Sequence, residues 1–392
     1  MNLSTLSFLI IFWGGLSCTQ KNIQHRLDLQ FPDSSTFVGQ EKTIAVLDSE
    51  SDQTVSRVQN QINPVPNFLS SGDSGIITLL AVGDIMLGSH YISKMDSFGL
   101  QFPFQYLTPL LVSADLIIGN LEAPIADSGV PSIPKQFIFN IPPRLASTLS
   151  QHNINAVCLA NNHIMDRGSA GLGSTLQVLD SLKIGHFGAG SNLTEARQIY
   201  YKTIKGTSFA MLGYSCTFPP EFWATDSSPG TAFGDSQFIR EDVKTARQHA
   251  EVVIVSFHWG AEKMDQPKLY QQELAHFSID CGADVVIGHH PHVLQGIEIY
   301  NGKMIFYSLG NFVFASYSNH VFDSMILRMR FQGVKLQESS VLPILINNFQ
   351  VELQPRPLEG EEARQSLERF AQLCNKLKTT LTIDQAVGYI RF

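Results

Sequence analysis

Apolar runs that stop abruptly at polar residues alternate along this chain with segments of helical period. Ile76-Ile77-Thr78-Leu79-Leu80-Ala81-Val82 is apolar at almost every position and ends at Gly83-Asp84, which predicts a buried strand. Asp115–Ile118, Ala156–Ala160, Thr207–Tyr214, Val252–Phe257 and Asp284–Ile287 read the same way. Between them, Leu172, Leu176, Leu179 and Leu182 fall at helical spacing, and Glu241–Ala250 reads as a short helix. Tyr270, Leu274, Phe277 and Cys281 mark one face of a further helix, which Gly282 closes. Strands alternating with helices in this way predict an α/β fold with a central sheet.

Two segments add antiparallel pairing, so the sheet structure is expected to be mixed. Ile297–Tyr300 and Lys303–Tyr307 flank Asn301-Gly302, a strong hairpin signal. Met325, Leu327, Met329 and Phe331 alternate with Arg328 and Arg330, the pattern of a half-solvated strand. A last amphipathic helix carries Leu367, Phe370, Cys374 and Leu377. The expected organisation is a signal segment over residues 1–18, a polar spacer over 19–75, a globular body over 76–316, and strands and a helix over 317–392 that complete the same domain.

The signal segment rests on the apolar run Leu6–Trp13 followed by Gly14-Gly15-Leu16-Ser17-Cys18. This is a lipoprotein-type signal with Cys18 as the residue to be lipidated, and an ordinary cleaved secretory signal is the alternative. As a membrane span the run is only about half of the ~20 residues required. The reading is therefore an exported protein of the cell envelope, anchored to the membrane through lipid on Cys18.

Composition narrows the partners. Apolar residues make up 44% of the 392, enough for a sizeable core, while the net charge of −8 argues against a nucleic-acid partner, which requires a basic stripe. An anionic substrate held locally by metal ions remains compatible with that charge. The cysteines show neither a disulfide framework nor zinc-finger spacing; Cys158 and Cys281 read as small buried hydrophobes.

Candidate chemistry gathers at the strand ends. Five of the twelve histidines lie in Asn161-Asn162-His163, Ser256-Phe257-His258 and Gly288-His289-His290-Pro291-His292, each just beyond an apolar run. Neutral imidazoles, amides and carboxylates gathered at one sheet edge are the usual means of holding divalent metal ions. Asp84 sits at the carboxyl edge of the first strand, where open α/β sheets bind ligands, although a turn or helix cap is the alternative. Asn120 and Glu122 follow the second strand, either as ligands or as a turn with a solvated acid. Asn162 offers a carbonyl oxygen. His163 is a ligand or the acid that protonates a leaving group, and Asp166 can hold its ring in one tautomer. A cap cluster for the following helix is the structural alternative. His258, His290 and His292 complete the ligand set, with Pro291 fixing the ring directions. Lys135 and Arg144 are candidates to meet a substrate anion, Glu262 to face the site, and Asn311 to support it. No Gly-x-Ser-x-Gly, P-loop or dinucleotide fingerprint occurs.

In ordered motifs this chain resembles the bacterial capsule-synthesis CapA or poly-γ-glutamate synthesis family. They are Gly83-Asp84-Ile85-Met86-Leu87, Asn120-Leu121-Glu122-Ala123-Pro124, Leu159–His163 with Asp166 and Gly168, His258-Trp259-Gly260, Gly288–His292 and Ser308–Phe312. The resemblance implies a calcineurin-like metallophosphoesterase body, a four-layer α/β/β/α sandwich with one or two divalent ions (Mn, Zn, Fe or Mg). Asp84 resembles the superfamily's first-strand aspartate, Asn162-His163 its Asn-His pair, His258 its middle histidine, and His290 and His292 its closing pair. The chain departs from the superfamily at Met86, where a histidine is usual. It departs again where Asn120 or Glu122 replaces a bridging aspartate, and in the extra residue of Gly288–His292, which leaves open which two of His289, His290 and His292 bind. Within the capsule family it departs at Ser89 and Lys263. The implied function is synthesis, export or anchoring of a poly-γ-glutamate-like capsule polymer through a metal-dependent hydrolase site acting on the polymer or a phosphoester, with a membrane-bound synthase complex as partner. A non-catalytic accessory protein that binds polymer or synthase on the same scaffold is the rival reading.

Overall fold

The first apolar run becomes the pivot of the architecture. In chain order the principal elements are β1 (Ile76–Met86), α1 (His90–Phe98), β2 (Leu116–Leu121), β3 (Ala156–Cys158), α2 (Gly168–Ser181), β4 (Gly185–Phe187), β5 (Tyr200–Ile204), β6 (Thr207–Ser215), α3 (Ser236–His249), β7 (Val252–His258), α4 (Leu269–Cys281), β8 (Val285–His289), β9 (Leu294–Tyr300), β10 (Lys303–Leu309), β11 (Asn311–Phe314), β12 (Asp323–Gln332), β13 (Lys335–Leu345), α5 (Gly360–Lys376), β14 (Leu381–Asp384) and β15 (Val387–Ile390). This computed structural model describes Phe68 and residues 75–391 apart from Ser132. The signal segment, Cys18 and nearly all of the spacer lie outside the described residues. Among the described residues, no helix is long and apolar enough to cross a membrane.

Two mixed sheets result. Sheet I has the order β14-β15-β13-β12-β1-β2-β3-β4, with β11 also paired to β1; Sheet II has the order β9-β10-β8-β7-β6-β5. In Sheet I, β1 to β4 are parallel and the strands beyond β12 antiparallel. Sheet II has a parallel centre, β10-β8-β7-β6, and an antiparallel strand at each edge.

Alternation along β1 explains the layering. Ile77, Leu79 and Ala81 face Phe209, Met211, Ile254 and Ile287 of Sheet II, while Leu80 and Val82 face Tyr91 and Met95 of α1 and Leu172 and Leu179 of α2. Each such side chain contributes about 1.5–3 kcal/mol when fully buried. Helices α3 and α4 lie against Sheet II. The result is a four-layer α/β/β/α sandwich. Helix α5 places Leu367, Phe370 and Cys374 in the inter-sheet core and packs on β9 and β14, the edge strands on that side. It thereby covers edges that would otherwise be free to pair.

The hairpin forms at Asn301 (φ 49°) and Gly302 (φ 70°), both left-handed as a type I′ turn requires. One expectation is corrected. The alternation in β12 predicts a half-solvated strand, but Arg328 is only 3% exposed. Its guanidinium bonds Ser340 Oγ (3.1 Å), Glu338 Oε1 (2.7 Å) and the carbonyl of Phe68, and lies over the Phe68 ring. An aromatic residue from before the body covers that face, which alternation within the strand cannot reveal.

At the end of β1 the backbone passes close to the connection from Sheet II. A Cβ on Gly83 would lie 2.0 Å from the carbonyl oxygen of Gly310, and Asp84 N donates to that same oxygen at 3.0 Å. Gly83→Ala is expected to destabilise the fold by roughly 1–3 kcal/mol, the range for overpacking. Urea unfolding should show a lower midpoint with an unchanged slope.

Candidate metal centre

Both sheets present their strand ends to one place. Asp84, near the end of β1, and Asn120, near the end of β2, are register partners, and Glu122 directly follows β2. The β3 end leads into Asn161, Asn162 and His163. From Sheet II come His258, the last residue of β7, and His289, the last of β8, again register partners. His290 and His292 follow in a turn where both have positive φ, 96° and 58°. Such backbone costs of order 1–3 kcal/mol per residue and tends to occur at functional sites. Trp259 anchors this side: its Nε1 donates to the Tyr307 carbonyl at 2.9 Å and its ring stacks on Phe257.

Two overlapping three-residue groups form here, Glu122–His258–His290 and Asp84–Glu122–His292, each with ligand atoms within 4.8 Å of one another. Glu122 is common to both. Its Oε1 is 3.7 Å from His258 Nε2 and 3.7 Å from His292 Nε2. Asn120 belongs to neither group; its Nδ2 reaches Asp84 Oδ1 (2.9 Å), Glu122 Oε2 (3.2 Å) and His258 Nδ1 (3.3 Å). Asn162 Oδ1 accepts from His258 Nε2 at 2.8 Å. His289 Nδ1 is 3.3 Å from Asp84 Oδ1 but stands outside both groups.

The electrostatics are those of a site built round positive charge. Burial, and then the charge of Asp84, push Glu122 well above the ordinary carboxylate range. Burial would raise Asp84 too, but its contacts with His289 and His292 hold it well below. His292 is lowered by burial, yet Glu122 and Asp84 outweigh that and raise it to about 10. Burial and the charge of His292 bring His290 down to about 3, and burial with His290 depresses His258 strongly. Glu122 Oε1 and His290 Nδ1 are buried with no hydrogen-bond partner, and Asp84 Oδ2 is met only by His292 Nδ1, at 3.2 Å. Leaving such atoms unsatisfied costs about 1–3 kcal/mol each. Paired carboxylates, the orphaned Glu122 oxygen and the weakly basic imidazoles of His258 and His290 form a donor set that fits divalent cations.

Beside the groups stands His163. Asp166 Oδ2 lies 2.6 Å from His163 Nδ1 and accepts the Phe139 amide at 2.8 Å. The helix-cap alternative fails, because the residue preceding α2 is Arg167, with no side-chain cap, and the Asp166 carboxylate is spent on these partners. Phe139 stacks on the His163 ring at 4.2 Å. Burial, with the charge of Lys135 adding to it, lowers His163 against the raising effect of Asp166.

The lower-ranked candidates separate. Lys135 points at Asp166, not outward. Arg144 is exposed and paired with Asp96 at 2.9 Å. Glu262 is exposed, its charge still felt by Glu122 and His292. Asn311 Oδ1 meets His292 Nδ1 at 2.8 Å and orients that ring. One positioning residue had no assigned role in the sequence reading. Asn161, fully buried, donates to Asn120 Oδ1 (3.1 Å) and the Leu121 carbonyl (2.8 Å), and its Oδ1 accepts from His163 N (3.1 Å). It ties the second strand end to the third. A polar side chain in an otherwise apolar run was the available signal.

A four-layer sandwich with an acid and imidazole cluster at the carboxyl ends of both sheets defines an α/β protein with a candidate divalent-cation site. The sequence profile described as "Bacterial capsule synthesis protein PGA_cap" matches residues 78–316, and the chain belongs to that family. The "PGA biosynthesis protein CapA" of Bacillus subtilis (strain 168) is 32% identical over 292 residues, covering 74% of this chain and 76% of the relative. The "Capsule biosynthesis protein CapA" of Bacillus anthracis is 29% identical over 289 residues, 72% of this chain and 69% of the relative. Among solved structures, the calcineurin-like phosphoesterase YfkN from Bacillus subtilis aligns with a TM-score of 0.41 and 16% identity, over 78% of this chain and 99% of that one.

Proposed function

We propose that this chain is an envelope protein of capsule-polymer synthesis, export or anchoring, lipid-anchored through Cys18, whose body hydrolyses a phosphoester with the help of two divalent ions. The observation that carries the reading is Glu122, shared by two ligand groups in a buried site and with its Oε1 orphaned. Family membership supports the capsule setting, with a poly-γ-glutamate-like polymer as the material handled and a membrane-bound synthase as the partner.

Asp84, Glu122, Asn162, His258, His290 and His292 would hold the ions. When bound, such ions polarise a phosphoryl or carbonyl oxygen and lower the pKa of water from ~15.7 to roughly 7. His163, with Nδ1–H held by Asp166, gives the departing oxygen its Nε2 proton from the doubly protonated ring and is left neutral. As the oxygen of water bonds to phosphorus, the ester P–O bond breaks with its electron pair on the leaving oxygen, which takes the Nε2 proton. A proton released from the attacking water into solvent balances the one later taken up by His163. Asn161 and Asp166 keep the ring in place throughout.

The test uses the purified chain supplied with Mn²⁺ or Zn²⁺, with bis(p-nitrophenyl) phosphate and γ-glutamyl-p-nitroanilide as substrates. Metal-dependent release from the phosphodiester, lost in Asp84→Asn and His292→Ala, is expected. Cleavage of the γ-glutamyl amide alone would replace the phosphoester with an amide. Bound metal without turnover of either would leave a non-catalytic polymer- or synthase-binding protein.

A further inference from the structure

The Lys135 side chain is only 14% exposed, and its ammonium is paired with a carboxylate. Nζ donates to Asp166 Oδ1 at 2.6 Å and to the backbone carbonyl of Asn162 at 2.6 Å, and lies 3.2 Å from His163 Nδ1. It also sits over the Phe222 ring at 5.0 Å. A part-buried lysine is expensive to desolvate and is retained where its partners repay the cost. Here those partners are the carbonyl of one candidate ligand and the carboxylate that holds the candidate acid.

We infer that Lys135 is a positioning residue for proton transfer through His163. It fixes the Asp166 carboxylate so that Oδ2 takes the Nδ1 proton and Nε2 is the nitrogen presented to the substrate. The geometry explains the assignment. At 2.6 Å an ionised carboxylate oxygen and a ring nitrogen share one proton, which the carboxylate cannot supply, so it resides on Nδ1. Lys135 holds the other oxygen of that carboxylate, Phe139 N the same one as His163, and the Asn162 carbonyl ties the assembly to the end of β3. With no charge to spare, Lys135 does not serve as a substrate anion site. The donor form is the imidazolium: Nε2 gives its proton to the leaving oxygen, the ring becomes neutral with its remaining proton on Nδ1, and Lys135 and Asp166 keep their charges. The inference rests on the reading of His163 as the proton donor.

Two readouts test it. With metal-loaded protein, Lys135→Met is expected to cut kcat on a phenyl phosphodiester by about 10–100-fold, because a poor leaving group needs the proton, while leaving KM and the p-nitrophenyl ester rate within about 3-fold. Lys135→Arg should restore most of the loss. Lys135→Gln, which keeps a donor for the Asn162 carbonyl, is measured beside it in case the methionine variant does not fold. The second readout needs neither metal nor activity. In ¹⁵N-histidine-labelled protein, the deshielded imidazole N–H resonance identified by its absence in His163→Asn should broaden or vanish in Lys135→Met and Lys135→Gln and return in Lys135→Arg. An unchanged resonance, or equal rate losses on both esters, would make Lys135 a structural ion pair and overturn the inference. If the parent protein hydrolyses neither ester, the phosphoesterase reading falls and the resonance alone decides the role of Lys135.

Discussion

Glu122→Gln is expected to disable both halves of the centre at once. Asp84, His258, His290 and His292 each belong to one group, but Glu122 Oε1 faces His258 on one side and His292 on the other. Glutamine keeps the volume and removes the charge, so metal affinity should fall by more than the roughly 10–100-fold that losing an outer partner costs. Metal content after dialysis, measured by plasma mass spectrometry, should drop at both positions in Glu122→Gln but at one in His258→Ala. The metal-free variant should be at least as heat-stable as the parent, because an acid held against Asp84 without water is gone. Retention of the full metal content would show that Glu122 does not hold the ions jointly.

His163→Asn should separate catalysis from metal binding. His163 lies in neither ligand group, and its Nδ1 is committed to Asp166. Loss of a positioned general acid lowers turnover by about 10²–10⁴-fold. The drop should be largest for phosphoesters with poor leaving groups, with bound metal retained. Equal losses of metal and activity would instead make His163 a ligand.

Much of this arrangement was legible from local pattern. The apolar run of β1 and its arrest at Gly83-Asp84, the turn at Asn301-Gly302 and the histidines beyond β7 and β8 depend on neighbours in sequence, and periodicity reads neighbours. Helix α3 begins at Ser236, five residues before Glu241, where the sequence reading starts it, and its start is fixed by the Asp235 cap on Gln237 N. β13 escaped notice because Gln337, Glu338, Ser339 and Ser340 break its apolar pattern, although most of the strand is buried. Long-range pairing was out of reach. The choice between Asn120 and Glu122 depended on which side chain lies between His258 and His292, and the direction of Lys135 depended on a partner 31 residues away. The cover that Phe68 supplies to Arg328 comes from still farther off.

The most direct measurement is anomalous diffraction from crystals of the protein grown or soaked with Mn²⁺. Two peaks are predicted, one among Glu122, His258 and His290 and the other among Asp84, Glu122 and His292, with the Glu122 carboxylate between them. A single peak that excludes Glu122, or no peak at these strand ends under saturating metal, would contradict the shared two-ion centre.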